Sequence, residues 1–191
     1  MDTKSIMIVG VGGQGSLLAS KLLGRLLMNE GYDVKVSEVH GMSQRGGSVV
    51  TYVRYGDKVY SPIIDKGEAD IILSFELLEA ARWMEFLAPD GIIITNTQQT
   101  NPMPVITGAA VYPENLDKKI AEVGAKADCL DALSLAVEAG SAKAVNLVLL
   151  GRLSAYFDFT EEDWLKAIEE SVPPKFLEIN KKAFALGKNS D

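Results

Sequence analysis

The amino-terminal segment constrains the fold more than any other part of this sequence. Residues 5–9 form a short apolar run typical of a buried strand, and residues 16–29 carry Leu18, Leu22 and Leu26 at helical spacing. Between them lies the glycine turn, residues 10–15, with the sequence Gly-Val-Gly-Gly-Gln-Gly. A strand, a glycine-rich turn and a helix in this order are typical of the first unit of an α/β sheet.

The pattern of the following residues predicts further strands. Alternating, β-branched or apolar runs predict strands at residues 34–39, 48–55, 71–74 and 92–95, with a short one near Val111. Gly56 and Asp57 are a hairpin-turn signal, and residues 58–64 continue extended, so residues 48–64 are predicted to form a β-hairpin. Pro89, Asp90 and Gly91 predict a turn.

Helical spacing dominates the rest of the chain. The predicted helices cover residues 75–86, 114–123, 129–138, 142–157, 160–171 and 173–186. Thr160 and Asp163 are spaced as in a capping box. We therefore predict one Rossmann-like three-layer α/β domain over residues 1–191. It has a mostly parallel sheet, a β-hairpin insertion after the second strand and a helical C-terminal part.

Composition limits the classes of function. The net charge of −7 disfavours nucleic acid as a partner, because binding to phosphates depends on clustered Lys and Arg. The apolar runs are shorter than the roughly 20 residues of a membrane span, so we expect no membrane partner and a cytoplasmic location. One cysteine, Cys129, and one histidine, His40, are too few for an iron–sulfur cluster or for most His-based metal sites. We predict no metal.

The glycine turn is the first candidate site. Its candidate contacts to an anion or other ligand are Gly10, Gly12, Gly13, Gln14 and Gly15. Glycines after a strand and before a helix allow an anion to approach the helix N-terminus, and Glu38 could then hydrogen-bond a ribose hydroxyl. Against a dinucleotide, the second strand leads into a predicted hairpin instead of a crossover helix, and Gln14 places an amide in the turn. A tight structural turn remains the simpler alternative.

A polar loop over residues 40–47, His-Gly-Met-Ser-Gln-Arg-Gly-Gly, is the second candidate site. Its candidate residues for facing an active site or an interface are His40, Ser43, Gln44, Arg45, Gly46 and Gly47. The forked guanidinium of Arg45 suits a carboxylate, a phosphate or a partner carbonyl, although a solvated loop is an equally good interpretation from chemistry alone. Cys129 is predicted to be a small buried side chain in a helix and not a nucleophile. Asn146 is predicted to bond a partner group or a loop backbone.

These two motifs together resemble the gamma-type domain of 2-oxoacid:ferredoxin oxidoreductases. The resemblance extends to Tyr60-Ser-Pro-Ile, to Glu76 and Glu79, to residues 146–151 and to the terminal residues 180–187. The first half of the second loop is similar to the version found in the indolepyruvate branch of that family. Pyruvate and 2-oxoglutarate members usually carry other residues there.

The resemblance implies a subunit without cofactors and without catalytic residues of its own. Thiamine diphosphate, Mg²⁺ and [4Fe–4S] clusters would then be bound by a larger subunit, CoA would be the co-substrate, and electrons would pass to ferredoxin through the complex. The reaction implied is oxidative decarboxylation of an arylpyruvate to an aryl-acetyl-CoA. Three alternatives are a gamma subunit for pyruvate, 2-oxoglutarate or branched-chain 2-oxoacids, a stand-alone NAD(P)- or flavin-binding domain, and a regulatory module that senses a nucleotide.

Overall fold

A six-stranded sheet forms the centre of the protein in a computed structural model that describes residues 2–38 and 46–190. Its strands are β1 Lys4–Val11, β2 Asp33–Glu38, β3 Ser48–Gly56, β4 Ala69–Ser74, β5 Leu87–Asn96 and β6 Lys126–Leu130. Their order across the sheet is β2-β3-β1-β4-β5-β6. β3 is antiparallel to both of its neighbours, whereas β1, β4, β5 and β6 pair in parallel. The predicted mostly parallel α/β sheet is confirmed.

Helices cover both faces of this sheet. They are α1 Ser16–Asn29, α2 Leu77–Trp83, α3 Met103–Ile106, α4 Leu116–Glu122, α5 Ala132–Ala139, α6 Val145–Ser154, α7 Glu161–Ser171 and α8 Leu177–Lys188. Alternate side chains of β1 enter two different cores, as the strand period of two requires. Ile6 and Ile8 lie in the core shared with α1 and α5–α8, and Met7 and Val9 in the core shared with α2 and α4. This is the predicted three-layer arrangement. None of the described helices is both long and apolar enough to span a bilayer.

The antiparallel insertion after the second strand has different partners from those predicted. Residues 58–64 do not form a strand, so the prediction that they pair with β3 is wrong. β3 instead pairs with β2 on one side and β1 on the other. Because both hydrogen-bonding edges of β3 are then occupied, the segment that follows cannot pair with β3 as a hairpin strand. It crosses the end of the sheet, where Val59 N–H donates to Asp33 Oδ2 at 2.9 Å.

The sixth strand was missed in the sequence. Residues 126–130, Lys-Ala-Asp-Cys-Leu, contain few strand-favouring residues but extend the sheet in parallel beyond β5. Cys129 therefore lies in an exposed edge strand, and the prediction of a buried cysteine in a helix is wrong. The helix begins later, at Ala132, where the Asp131 side chain accepts from Ser134 N–H.

Two turn and strand assignments around β5 also differ. The expected turn at residues 89–91 lies within β5, at an irregularity in its pairing with β4. The expected short strand near Val111 is absent, because the sheet continues through β6 and residues 97–113 belong to the connection from β5 to α4, which contains α3. By contrast, the capping box of Thr160 and Asp163 at the start of α7 is confirmed.

Candidate functional site

The glycine turn lies where β1 ends, between the carboxyl end of β4 and the start of α1. The Gln14 side chain folds back into the turn, where its Oε1 accepts from Val11 N–H at 2.7 Å and its Nε2 donates to Phe75 O at 3.3 Å. A Cβ at Gly10 would lie 2.8 Å from Gln14 Oε1 and 2.9 Å from Phe75 Cβ. Gly10 thus serves close packing, and the Gln14 amide ties the turn to β4.

The positive backbone φ angles of Gly13 and Gly15, 101° and 92°, explain why glycine occupies both positions. Gly15 is also the N-cap of α1 and provides no side-chain oxygen to the first turn of that helix. Behind it lies the buried Asn146 of α6, whose Nδ2 is 3.5 Å from Gly15 O. The prediction that Asn146 bonds a loop backbone is confirmed.

The end of the second loop lies beside the glycine turn. Gly12 N–H donates to Gly47 O at 2.9 Å, and Val11 is the pairing partner of Ser48 across β1 and β3. Of the six candidate residues in this loop, Gly46 and Gly47 are described, whereas His40, Ser43, Gln44 and Arg45 lie outside the described residues. The structure therefore brings the two motifs together through Gly12 and Gly47, as far as the described residues extend.

Two cavities flank the glycine turn. One has a volume of about 300 Å³ and lies between the turn, the start of α1 and the beginning of β3. The other, of about 590 Å³, is lined by Gln14, Gln98, Leu133 and Lys143 among others. Gln98 and Lys143 were not singled out from the sequence, because no local pattern brings them to Gln14. The Lys143 side chain gives the larger cavity a cationic group.

Glu38, the candidate ribose contact, lies at the wall of the smaller cavity. Its Oε1 accepts from Ser20 Oγ at 2.7 Å. In a dinucleotide-binding fold the strand that carries this acidic residue lies next to β1, but here β3 intervenes. Glu38 is thus displaced by one further strand spacing of about 4.8 Å, which disfavours the dinucleotide interpretation.

A buried acidic pair stands at the start of α2, on the other side of β1. Glu76, only 1% exposed, caps the helix by accepting from Glu79 N–H at 2.8 Å. Its second oxygen accepts from Thr100 N–H at 3.0 Å and from the Tyr112 hydroxyl at 2.5 Å. Burial raises the pKa of that hydroxyl, and the hydrogen bond to Glu76 raises it further. Tyr112 is therefore a neutral donor to the Glu76 carboxylate.

Glu79 connects α2 to the second loop. Its carboxylate accepts from Ser48 Oγ, from Arg82 Nε at 3.1 Å and from Trp83 Nε1 at 3.3 Å. Ser48 is the first residue of β3 and immediately follows Gly47. The carboxyl-terminal end of the second loop is consequently held in two places: Gly47 bonds to Gly12, and the following residue, Ser48, bonds to Glu79.

The described residues offer little chemistry for a redox centre. Within residues 2–38 and 46–190, no group of three or more His, Cys, Asp or Glu side chains is placed to hold a metal ion. Partial desolvation raises the pKa of the Cys129 thiol, and the carboxylates of Asp117 and Asp128 raise it further. Because the thiolate is the reactive form, Cys129 is a poor nucleophile.

Comparison with known proteins gives matches over nearly the whole chain. Residues 5–190 match the family described as pyruvate ferredoxin/flavodoxin oxidoreductase. Indolepyruvate oxidoreductase subunit IorB of Thermococcus kodakarensis is 47% identical, over 98% of this chain and 95% of that protein. The IorB subunit of Pyrococcus horikoshii is 45% identical with the same coverage.

A solved structure with the same fold is pyruvate oxidoreductase subunit PORC from Thermotoga maritima. It superposes with a TM-score of 0.75 and covers 98% of this chain and 96% of that chain. Its sequence identity of 22% limits this comparison to the fold.

Proposed function

Because the chain belongs to the pyruvate ferredoxin/flavodoxin oxidoreductase family, we propose that it is the smaller, cofactor-free subunit of an indolepyruvate oxidoreductase. Identity of 47% to an IorB subunit over nearly the full length is the observation that carries the choice of substrate. The complex would convert an arylpyruvate and CoA to an aryl-acetyl-CoA and CO₂. The two electrons released would pass to ferredoxin.

The division of labour follows from the side chains that this chain contains. A [4Fe–4S] cluster usually takes four cysteine thiolates, and this chain has one cysteine, which lies on an edge strand. The clusters are therefore assigned to a larger subunit, and the family resemblance implies that the same subunit binds thiamine diphosphate and Mg²⁺. Thiamine diphosphate bound there would supply the chemistry of decarboxylation, and this chain would help to exclude water from the reaction centre.

The role of this chain is to close over that reaction centre with the end of its sheet where β1 ends and β3 begins, which carries both loops. The bond from Gly12 to Gly47 and the anchoring of Ser48 by Glu79 hold the start of β3 beside the glycine turn. Because this part of the surface is already ordered, it can exclude water at a small entropic cost when the subunits associate. The cavities beside the turn give room for part of CoA, and Lys143 would favour its phosphates.

Anaerobic co-expression with the larger subunit tests this function. The complex is expected to reduce a redox dye in the presence of CoA and indolepyruvate, with a higher kcat/KM than for pyruvate or 2-oxoglutarate. The isolated chain is expected to be inactive. Oxidation of arylpyruvates by the isolated chain, or a tightly held redox cofactor in it, would overturn the assignment. Calorimetric titration of the isolated chain with NADPH tests the dinucleotide alternative directly.

Replacing Arg45 with Ala is expected to weaken CoA binding or subunit assembly by at least about tenfold, since hydrogen bonds to charged groups contribute roughly 1.5–3 kcal/mol. The measurements are KM and kcat for indolepyruvate and CoA, and the Kd between the subunits. Arg45→Lys keeps the charge without the fork and should recover part of the loss. Lys118→Ala, on the exposed face of α4, is the matched control for loss of one positive charge. Unchanged kinetics and unchanged Kd in Arg45→Ala would remove this role.

A further inference from the structure

The segment between β5 and α4 is unusual for an exposed part of this protein. Residues 97–113 contain no Asp, Glu, Lys or Arg, although charged residues make up 24% of the chain. We call residues 101–111 the arm. The arm includes α3, Met103–Ile106, which buries none of its residues. An exposed stretch without charge is a signature of the central part of a protein interface.

Three large apolar side chains of the arm are open to solvent. Met103 is 66% exposed, Ile106 is 65% exposed and Val111 is 86% exposed. Single exposed apolar residues are common on protein surfaces, but three within one short uncharged segment are a concentration that favours an interaction site. Met is also among the residues enriched at interfaces.

The arm is folded and anchored at both ends to the same buried carboxylate. Thr100 precedes the arm and Tyr112 follows it. The backbone N–H of Thr100 and the hydroxyl of Tyr112 both donate to Glu76 Oε1. Within the arm, Val105 N–H and Ile106 N–H donate to Pro102 O at 2.9 and 3.1 Å. A surface that is already ordered loses little conformational entropy on binding. The backbone that carries the apolar side chains is therefore already ordered before binding.

The residues just before the arm lie at the same end of the sheet as the glycine turn. Gln98 lines the 590 Å³ cavity together with Gly13 and Gln14, and its carbonyl accepts from Leu77 N–H at 3.1 Å. A polypeptide that covers the glycine turn and this cavity would therefore contact Gln98, three residues before the arm.

We propose that the arm is a docking element that inserts Met103, Ile106 and Val111 into an apolar groove on the larger, cofactor-bearing subunit. This inference rests on the proposed function, which requires that subunit at this edge. The absence of charge indicates a partner surface that is apolar and not basic. The hydrogen bonds from Thr100 and Tyr112 to Glu76 Oε1 hold both ends of the arm at the start of α2.

Single Asp substitutions of the three exposed residues test the docking element. Met103→Asp, Ile106→Asp and Val111→Asp are each expected to raise the Kd for the purified larger subunit by at least about tenfold, because each would place a charge in an apolar groove; loss of a hot-spot residue has effects of this size. Because these side chains are exposed, the thermal unfolding of the isolated chain should change little. The matched controls are Val123→Asp and Val137→Asp, at residues that are 67% and 59% exposed and lie outside the arm, at the end of α4 and in α5. They should leave the Kd within about twofold, since substitutions outside an interface have small effects.

The outcomes separate this inference from the proposed function. If wild type binds the larger subunit and the arm variants bind equally well, the docking element is refuted and the proposed function stands. If wild type does not bind the larger subunit, the proposed function fails and the inference with it. If sedimentation shows that the arm variants dissociate a dimer of this chain, while their Kd for the larger subunit is unchanged, the arm binds a second copy and the proposal is overturned.

Discussion

Gly187→Ala is expected to lower the free energy of unfolding by about 3 kcal/mol or more, because α6 and α8 touch through their backbones. A Cβ at Gly187 would lie 2.9 Å from Val148 Cα and closer still to the carbonyl of Val148. On the opposite helix, a Cβ at Gly151 would lie 2.8 Å from Lys188 N. Neither helix can yield by a side-chain rotation, so the helices must separate. Urea denaturation of the purified variant measures the loss.

Gly24→Ala is the matched control for this change. Gly24 is also a buried helical glycine, but a Cβ there would meet its nearest neighbour, Val36 Cγ2, at an ordinary 3.8 Å. Alanine is a better helix former than glycine by roughly 0.5–1 kcal/mol, so this variant should be as stable as wild type or more stable. A Gly187→Ala variant as stable as Gly24→Ala would contradict the close approach of α6 and α8.

Glu76→Ala is expected to cost about 3 kcal/mol of stability and to loosen the arm. The substitution removes the N-cap of α2 and leaves three donors without their acceptor, namely Glu79 N–H, Thr100 N–H and the Tyr112 hydroxyl. A lost cap costs about 1 kcal/mol and each buried unsatisfied donor about 1–3 kcal/mol. The measurements are urea denaturation and limited proteolysis, in which cleavage within residues 101–111 should become faster.

Two controls accompany the Glu76 substitution. Glu68→Ala removes an exposed carboxylate that accepts one hydrogen bond, from Asp65 N–H, and should change stability by less than about 0.5 kcal/mol. Glu76→Gln keeps a carbonyl acceptor at nearly the same position and should lie between wild type and Glu76→Ala. Unaltered cleavage of the arm in Glu76→Ala would show that the double clamp does not hold it.

The first unit of the fold could be predicted because its signals are local. Glycines at positions that require a positive φ, followed by leucines at helical spacing, are readable in a short window. The capping box of α7 is equally local, since Thr160 and Asp163 are three residues apart. The lack of charged residues in 97–113 can also be seen in the sequence. Local pattern predicted a strand near Val111, however, where the structure has an exposed arm.

Strand pairing could not be predicted in the same way. The strand propensity of residues 58–64 is real, but β1 and β2 occupy both edges of β3, and hydrogen-bonding edges are a property of the assembled sheet. Conversely, residues 126–130 have weak strand propensity and become β6 because β5 offers a free edge. Competition for edges is decided by residues far apart in the chain.

The sequence alone determined the α/β class, the glycine turn, the lack of cluster ligands and the family resemblance, because each depends on residue type or short spacing. Only the tertiary structure placed Gly47 against Gly12, Asn146 behind Gly15 and both ends of the arm on Glu76. Each of these contacts joins residues that are 24 to 131 positions apart in the chain. No local periodicity encodes such distances, since they are fixed only when the packed sheet brings the carboxyl ends of its strands to one edge.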